Sequence, residues 1–392
     1  MNSEVAISQR MSQIKACVII PTYNNHKTLQ RVVDGVLMYT SHVIVVNDGS
    51  TDSTKEILDS YPQITIIHIS KNQGKGNALR EGFKKAKQLL YEYAITIDSD
   101  GQHYPDDIPV FLDALEEAGK PILLIGSRNM NQDGVPKKSS FGNKFSNFWF
   151  WFETGIQLED TQSGYRLYPL QFIPNRYFTK KFEFEIEVIV RTAWKNIEVK
   201  NVPIKILYDP NERVTHFRPF TDFTRISILN TILVVITLLY IKPRNFLLSF
   251  KKKSFKAFVR EDILANSDSN LKKSFSIALG VFVGIAPFWG FQTVIAISLA
   301  IFLRWNKALA FAFSNISIPP MIPFIILGSL KVGSCFVSEK ISIIPENKIT
   351  FAFVQNHLVQ YVVGSFVLAI ITAIIFGIAS YLLLSFFKKT SK

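Results

Sequence analysis

Residues 93–107, YAITIDSDGQHYPDD, form an apolar run that ends on two acidic residues, Asp98 and Asp100, with one serine between them. Turn chemistry alone often places Asp, Ser and Gly at the end of a strand, so a simple turn is one interpretation. Two carboxylates this close repel each other unless a cation or several hydrogen-bond donors compensate them. The stretch therefore predicts a strand followed either by a turn or by a site for a divalent metal ion.

Similar apolar runs alternate with helical patterns on both sides of this stretch. The runs are ACVIIPTYN (16–24), HVIVVNDGS (42–50), QITIIHIS (63–70) and PILLIGSR (121–128). The helical patterns between them include HKTLQRVVDGVLMYT, STDSTKEILDSY and GKGNALREGFKKAKQLLYEY. This alternation predicts an α/β fold with a mainly parallel sheet and helices on both faces.

The polar residues that end these runs are the candidates for chemistry, because such sheets bind ligands beyond the carboxyl ends of their strands. Asp98 and Asp100 offer hard oxygen ligands that suit Mg²⁺ or Mn²⁺ carrying a substrate diphosphate. Asp48 offers an acceptor for a base or ribose hydroxyl, and Tyr23 offers a surface for a nucleobase. In KNQGKGNA, Lys75 lies at a helix start, where free backbone donors favour an anion.

Composition indicates two parts and a membrane. The chain has 392 residues and a net charge of +13, and apolar segments of bilayer length favour a membrane partner over nucleic acid. Cys17 and Cys335 imply neither a disulfide framework nor a cysteine metal site, which suits a cytosol-facing catalytic part. The N-terminal residues lack the apolar core of a signal peptide.

Together the motifs resemble the family 2 inverting glycosyltransferases of the GT-A fold, in the branch around dolichyl-phosphate mannose synthase. The resemblance covers residues 15–225. VIIPTYNN stands where the family has its first nucleotide motif, with Asn25 in place of the usual glutamate. VVNDGSTD has Asn47 for the first aspartate of the second motif and retains Asp48. With Lys75 added, the predicted nucleotide-sugar contacts are Pro21, Tyr23, Asn25, Asp48, Lys75, Asp98 and Ser99.

The resemblance also implies catalytic and acceptor residues. IDSDGQH matches the metal motif and a following glutamine, GSRN supplies Ser127 and Arg128, and DTQSGYRLY matches a pattern that lies near the acceptor. The predicted catalytic residues are Asp98, Asp100, Gln102 and Asp160, with Asp98 and Asp100 holding Mg or Mn. The predicted acceptor contacts are Arg128, Lys144, Ser163, Arg166 and His216.

The acceptor is predicted to be a lipid phosphate. A phosphate monoester has its second pKa near ~6, so it is largely anionic at neutral pH and needs positive charge rather than a general base. Arg128, Lys144 and Arg166, with Ser163, would meet that need, although Lys144 and Arg166 could equally be surface cations. Asp160 could instead be the general base for a hydroxyl lipid, which leaves the acceptor class open.

The segment before the apolar part carries Tyr208, His216, Arg218 and Arg225. The resemblance implies that these residues lie at headgroup level near a lipid phosphate, whereas ordinary membrane anchoring is the simpler interpretation. Residues 226–241 are short of the roughly 20 residues that a span needs. We therefore predict that this stretch lies in the interface and that the basic segment 251–273 stays cytosolic, where it binds anionic lipids.

The C-terminal part has apolar stretches at 275–303, 308–330 and 358–387. The first is interrupted around Pro287, and charge distribution favours a helical hairpin that enters and leaves on the cytosolic face over a single kinked span. SNISIPPMIP (314–323) is a second interruption, expected to pack against the first. This region resembles a small membrane domain of unknown function found near glycosyltransferases, and that resemblance implies no activity.

The predicted organisation is a tail (1–14), a GT-A domain (15–225), an interfacial helix and basic linker (226–273) and an α-helical membrane domain (274–392). The predicted function is transfer of a sugar from a nucleotide-sugar donor to a polyprenyl phosphate. The reaction would take place at the cell membrane. The protein is predicted to be multi-pass, with its catalytic domain and its C-terminus facing the cytoplasm, and a homo-oligomer is among the expected states. The alternatives are a glycolipid synthase with a hydroxyl acceptor, a transporter or flippase with a regulatory soluble part, and a degenerate sugar-nucleotide-binding scaffold.

Overall fold

The computed structural model describes residues 2–128, 137–207, 218–251, 268–288, 290–317, 321–336 and 358–389. The chain divides into two compact units, Met1–Val234 and Val235–Lys392. The boundary lies inside a long apolar helix rather than at the predicted residue 225. Each unit is described separately below.

Unit 1 contains a seven-stranded sheet. Its strands are β1 Ala16–Thr22, β2 Val43–Asn47, β3 Thr65–His68, β4 Tyr93–Thr96, β5 Ile122–Arg128, β6 Arg166–Pro169 and β7 Glu198–Ile204. Their order is β3-β2-β1-β4-β6-β5-β7, and every neighbouring pair is parallel except the two that involve β6. The mainly parallel sheet predicted from the alternating runs is confirmed, and so is the GT-A-like fold that the resemblance implies.

Helices cover both faces of this sheet. They are α1 Asn2–Gln13, α2 His26–Leu37, α3 Thr54–Asp59, α4 Lys75–Gln88, α5 Ile108–Ala118, α6 Lys137–Thr154 and α7 Phe184–Ala193. Alternate residues of β1 enter different cores, since side chains along a strand point to opposite faces. Val18 packs with Leu29 of α2 and Phe111 of α5, whereas Ile19 packs on the other face with Phe83 of α4.

The predicted N-terminal tail is instead a helix that packs on the domain. Ile7 and Met11, one turn apart on α1, are buried in the core. Arg10 contacts Asp113 and Glu116 of α5 at 2.6 Å and 2.8 Å. The sequence pattern was too short to indicate this helix, because among its described side chains only Ile7 and Met11 enter the core.

One long helix begins in unit 1 and ends in unit 2. It comprises α8 Pro219–Ile236, a π-helical turn Thr237–Ile241 and α9 Lys242–Lys251. Its segment Thr221–Leu248 has 28 residues and a mean hydropathy of 1.9, so its length and composition are sufficient to cross a bilayer. The sequence had predicted only a shorter stretch lying in the interface.

Unit 2 is helical. After α9 it contains α10 Asn270–Ile285, α11 Gln292–Phe302, α12 Lys307–Ser314, α13 Ile322–Gly333 and α14 Leu358–Lys389. Within α14, Leu358–Phe386 has 29 residues and a mean hydropathy of 2.6, which makes it a second helix long enough to cross a bilayer. These two helices are the candidate membrane spans in the described part of the chain.

The interruption after α10 produces a helical hairpin. The rings of Phe275 on α10 and Trp305, just after α11, stack with centroids 5.2 Å apart, so α11 returns alongside α10. A Cβ on Gly284 would lie 2.8 Å from the Ser314 carbonyl oxygen and 3.0 Å from Ile316, which shows that the second interruption packs beside the first. The structure thus contains a helical hairpin at the predicted place, with the two interruptions packed together. The predicted entry and exit on the cytosolic face stay a prediction.

Candidate active site

A pocket of about 620 Å³ opens beyond the carboxyl ends of β1, β2 and β4 in unit 1. These three strands are adjacent and parallel, so the residues that follow them meet at one edge of the sheet. Every predicted nucleotide-sugar contact lines this pocket, and so does the second residue of the predicted metal pair. The residues concerned are Pro21, Tyr23, Asn25, Asp48, Lys75, Asp98, Ser99 and Asp100.

Asp48 is fixed by the turn that follows β3. Its two carboxylate oxygens accept hydrogen bonds from the backbone N–H groups of Gln73 and Gly74, at 3.0 Å and 2.7 Å. Gly74 has φ +101°, and a Cβ on Gly49 (φ +72°) would lie 2.6 Å from a backbone nitrogen of this turn. Burial raises the pKa of Asp48, and the two backbone hydrogen bonds oppose that shift.

Asn25 presents an unsatisfied acceptor in the pocket. Its Nδ2 donates to the Ser99 hydroxyl at 2.8 Å, whereas its buried Oδ1 has no hydrogen-bond partner among the described residues. A buried acceptor without a partner costs free energy that a ligand N–H can recover. The Asn25 Oδ1 can therefore accept a hydrogen bond from a donor group on a nucleobase, although the resemblance would place a glutamate at this position.

Lys75 and Asp98 form the charged floor of the pocket. Lys75 Nζ lies 2.7 Å from Asp98 Oδ1 and 3.0 Å from Glu185 Oε2. Burial alone would lower the pKa of Lys75, but the two carboxylates raise it above its ordinary value; burial alone would raise the pKa of Asp98, but Lys75 lowers it. A Cβ on Gly164 would lie 2.3 Å from Asp98 Oδ2, so only glycine fits beside this pair.

The two carboxylates of the predicted metal pair have different surroundings. Both residues line the pocket. Both Asp98 carboxylate oxygens contact the Lys75 ammonium, whereas Asp100 Oδ1 accepts a hydrogen bond from the backbone N–H of Gln102 at 3.1 Å. Within the described residues no three His, Cys, Asp or Glu side chains converge to hold a metal. The residues fit a hard cation that takes few protein ligands and completes its shell with diphosphate oxygens and water, as Mg²⁺ commonly does.

Arg128 and Asp160 form a second charged group, which is not part of the pocket lining. Arg128 Nε and Nη2 donate to the two Asp160 oxygens at 2.6 Å and 3.0 Å. Asp160 is fully buried and also accepts from the backbone N–H groups of Gln162 and Ser163. The Asp160 carboxylate thus orients the Arg128 guanidinium in this structure, and its role as a general base stays a prediction.

Arg166 and Ser163 lie inside the domain rather than at a surface that an acceptor could reach. Arg166 is 1% exposed and donates to the carbonyl oxygens of Thr161, Ser163 and Glu185. Ser163 is also buried and its hydroxyl accepts from the Tyr165 N–H. These contacts correct the predicted acceptor roles, because a guanidinium that satisfies loop carbonyls supports the loop.

His103 lies between the two charged groups and was not identified from the sequence. It is buried, its Nδ1 has no hydrogen-bond partner among the described residues, and its neighbours include Asp98 and Arg128. Burial lowers the pKa of His103 to about 4, so the ring is neutral at pH 7. The motif IDSDGQH contains this histidine, but its burial is visible only in the folded structure.

The remaining predictions have varied outcomes. Lys144 is exposed on α6, and the backbone of Gln102 donates to Asp100 and accepts from the backbone N–H of Leu207. The predicted contact His216, with Tyr208, lies outside the described residues. The pocket is also lined by residues from two later segments that the sequence had not assigned to the donor, namely Lys181, Phe182, Arg218, Asp222 and Arg225.

The mainly parallel sheet, with a carboxylate-lined pocket beyond the carboxyl ends of its strands, places the first domain in the GT-A-like class of folds. Residues 17–180 match the family described as Glycosyl transferase family 2, and residues 256–392 match DUF2062, described as an uncharacterized protein conserved in bacteria. The chain therefore belongs to glycosyl transferase family 2 through its first domain and carries a C-terminal DUF2062 domain.

Relatives connect the first domain with polyprenyl-phosphate sugar synthases. The chain is 28% identical over 214 residues to UDP-N-acetylglucosamine--dolichyl-phosphate N-acetylglucosaminyltransferase of Methanococcus voltae, which covers 49% of this chain and 85% of that protein. It is 28% identical over 204 residues to polyprenol monophosphomannose synthase of Mycolicibacterium smegmatis, covering 48% of this chain and 76% of that protein. Both alignments cover about half of this chain, consistent with its first domain.

A solved structure also resembles the chain at low identity. Glucosyl-3-phosphoglycerate synthase from Mycobacterium tuberculosis, in complex with Mn²⁺, uridine diphosphate and glucosyl-3-phosphoglycerate, superposes with a TM-score of 0.44 at 17% identity. The superposition covers 61% of this chain and 83% of that chain.

Proposed function

We propose that this chain transfers a sugar, with inversion, from a nucleotide-sugar donor to a polyprenyl phosphate in the cell membrane. The observation that carries the proposal is the pocket beyond β1, β2 and β4, where acceptors for a base and a carboxylate for a metal ion lie together. The names of the two relatives, which include dolichyl phosphate and polyprenol, support the lipid-phosphate acceptor.

The donor would lie along the pocket with its base at the Asn25 end. The unsatisfied Asn25 Oδ1 would accept from the base, the Tyr23 ring would lie against it, and Asp48 would accept from the base or a ribose hydroxyl. Lys181 and Arg225, which also line the pocket, supply positive charge for the diphosphate.

A divalent ion, Mg²⁺ or Mn²⁺, would be held by Asp100 and would neutralise charge on the departing nucleoside diphosphate. Asp98 belongs to the same predicted pair, and its contact with Lys75 gives it a second role in this proposal. The Asp98–Lys75–Glu185 group holds fixed charges in position before the donor enters, which limits reorganisation during the reaction.

The acceptor phosphate would attack the anomeric carbon of the sugar directly. A phosphate oxygen–carbon bond forms while the bond from that carbon to the donor diphosphate breaks, and the electron pair leaves with the nucleoside diphosphate. No proton is removed, because the phosphate is already largely ionised at neutral pH. This agrees with an Asp160 that is occupied by Arg128 and backbone donors. Arg128 remains the cation we propose for the acceptor, oriented by Asp160.

The two long apolar helices support a membrane location. We propose a multi-pass protein with its catalytic domain and C-terminus in the cytoplasm, where nucleotide sugars are found, and with its basic segments at anionic lipid headgroups.

The first test is transfer by the purified, detergent-solubilised chain. Nucleotide sugars would be supplied with Mg²⁺, Mn²⁺ or a chelator, and with undecaprenyl phosphate or diacylglycerol as acceptor. Metal-dependent transfer to undecaprenyl phosphate is expected. Transfer only to diacylglycerol would show that the acceptor group is a hydroxyl and not a phosphate, and Asp160 would then be the residue to test as the general base. Absence of transfer to either lipid would contradict the proposed enzyme class.

A further inference from the structure

Helix α6 exposes an aromatic face on the catalytic domain that the proposed reaction does not use. Phe148 is 51% exposed, and its ring lies 5.3 Å from that of Trp149 and 6.0 Å from that of Trp151, both of which are half-buried. Lys144 is exposed one turn before Phe148. We define these four residues, Lys144, Phe148, Trp149 and Trp151, as the α6 aromatic face. A soluble helix normally presents polar residues on its outer side, so this face indicates a partner surface.

The opposite side of α6 is attached to the loop that orients Arg128. Asn143 and Asn147 donate through their Nδ2 atoms to the Glu159 carbonyl oxygen at 2.9 Å and 2.6 Å. Thr161 donates from its hydroxyl to the Ser146 hydroxyl at 2.8 Å. Asp160 lies between Glu159 and Thr161. The helix therefore has one side hydrogen-bonded to the residues that flank Asp160, and it carries the exposed Phe148 on another side.

The aromatic cluster is continuous with the first candidate membrane span. Phe145, on α6 beside the aromatic face, packs against Phe223 of α8 with ring centroids 5.6 Å apart. Phe223 belongs to Thr221–Leu248, and Phe223 and Ile228 are 46% and 56% exposed. Within unit 1, apolar side chains thus extend from α6 onto the first turns of α8.

We propose that the α6 aromatic face docks into the headgroup region of the bilayer. Aromatic residues concentrate at membrane–water interfaces, and a neighbouring lysine favours anionic headgroups. The occupant is therefore a lipid surface. Docking holds the Arg128–Asp160 pair near the plane where lipid phosphates lie. The docking is inferred from the exposure and the contacts of the aromatic side chains, whereas its connection with the lipid acceptor rests on the proposed function.

Spin labelling of the full chain in nanodiscs of phosphatidylglycerol and phosphatidylethanolamine tests the docking. The spin label is attached to a cysteine introduced at position 148 (Phe148→Cys), and the exposed Cys335 is first replaced by serine so that it does not take up label. Cys17 can be kept, because it is buried and burial raises the pKa of its thiol, which leaves it unreactive. The water reference is Lys84→Cys on α4, whose side chain is 68% exposed, and the lipid reference is Ile371→Cys on α14. Accessibility to oxygen and to a water-soluble nickel chelate is compared at the three positions.

The expected result is a label at position 148 with an oxygen-to-nickel accessibility ratio well above that at position 84. Its depth should be about 5–10 Å below the headgroup boundary, as for interfacial helices. A ratio equal to that at position 84 would overturn the proposal. Low accessibility to both reagents with spin–spin broadening would also overturn it, by showing that a second copy covers the face.

A functional arm uses the double variant Phe148→Ser/Trp151→Ser with undecaprenyl phosphate in vesicles. Transfer should fall about tenfold, equivalent to a loss of about 1.4 kcal/mol, while nucleotide affinity stays unchanged. Phe178→Ser is the matched control, because Phe178 is 66% exposed outside α6. If the wild-type chain shows no transfer, the proposed function fails while the accessibility result still decides the docking. Equal loss in the Phe178 control would remove the link between this face and the acceptor.

Discussion

At the scale of single residues, Asp100 has the clearest chemical assignment. Its carboxylate lines the pocket at the end of β4, where the proposed metal ion would meet the diphosphate. Asp100→Asn should reduce transfer by a factor on the order of 100 or more, since even indirect disturbance of metal ligands costs about 10–100-fold. The measurement is turnover at saturating Mn²⁺ with the melting temperature recorded in parallel.

Asp106→Asn is the matched control for Asp100, because Asp106 is exposed and lies in the same segment. It should retain turnover. Wild-type turnover in Asp100→Asn, with the fold intact, would contradict the metal role.

Asp160 gives a prediction that separates orientation from base catalysis. Its fully buried carboxylate pairs with Arg128, whose side chain is 17% exposed. Asp160→Asn should lower the free energy of unfolding of the catalytic domain by about 3–5 kcal/mol, the usual effect of removing one member of a buried pair. Denaturant unfolding followed by fluorescence measures this. A variant with unchanged stability but abolished transfer to diacylglycerol would instead support the general-base role.

Glu153 should give the catalytic domain a stability that depends on pH. Both carboxylate oxygens are buried without a hydrogen-bond partner among the described residues, and burial raises the pKa of Glu153 to about 8. The unfolded chain loses this proton near its ordinary pKa of 4.5, whereas the folded chain keeps it. The unfolding free energy should therefore fall as pH rises from 4.5 towards 8, by up to about 1.4 kcal/mol per pH unit.

Glu153→Gln should remove that slope, because glutamine does not titrate. Urea unfolding at several pH values compares the two proteins. An identical slope in both would show that Glu153 is ionised in the folded domain.

At the scale of elements, α13 and α14 depend on close backbone approach. A Cβ on Gly364 would lie 1.8 Å from the Ser329 carbonyl oxygen, and one on Gly333 would lie 2.0 Å from the Gln360 carbonyl oxygen. Glycine at such crossings lets helices pack backbone to backbone in a membrane. Gly364→Val should therefore separate the two helices and lower the melting temperature of the detergent-solubilised chain by several degrees.

Ile371→Val is the control for this helix pair, since Ile371 is 46% exposed on α14. It should leave the melting temperature unchanged. A Gly364→Val protein that melts with the wild type would show that the crossing is not needed for stability.

The elements also show what the sequence could and could not predict. Strands such as β1 and β2 were predictable because continuous apolar runs ending in turn residues indicate buried parallel strands. The burial of Arg166 was not predictable, because a cation in a polar motif normally lies at a surface. One of the carbonyl groups that accept from Arg166 belongs to Glu185, in a different element of the fold. The Lys75–Asp98 contact likewise depends on how α4 and β4 are placed, and pattern alone cannot reveal it.

At the scale of the whole molecule, the fold gives a topological prediction. Asn270 Nδ2, at the start of α10, donates to the Leu384 carbonyl oxygen near the end of α14 at 3.2 Å. The chain thus enters α10 and leaves α14 at the same end of unit 2. A fluorescent protein fused after Lys392 should be fluorescent in cells, whereas alkaline phosphatase at that position should be inactive, since the proposed location is cytoplasmic. The opposite pattern would place the C-terminus outside.

The two-sided construction of α6 has a consequence for how the protein responds to its surroundings. One side of the helix is hydrogen-bonded to the loop around Asp160, and the other side is aromatic. If the rings follow the interface, a change in bilayer thickness or lateral pressure would also move the loop that carries Asp160, the partner of Arg128. Sugar transfer would then depend on the physical state of the lipid.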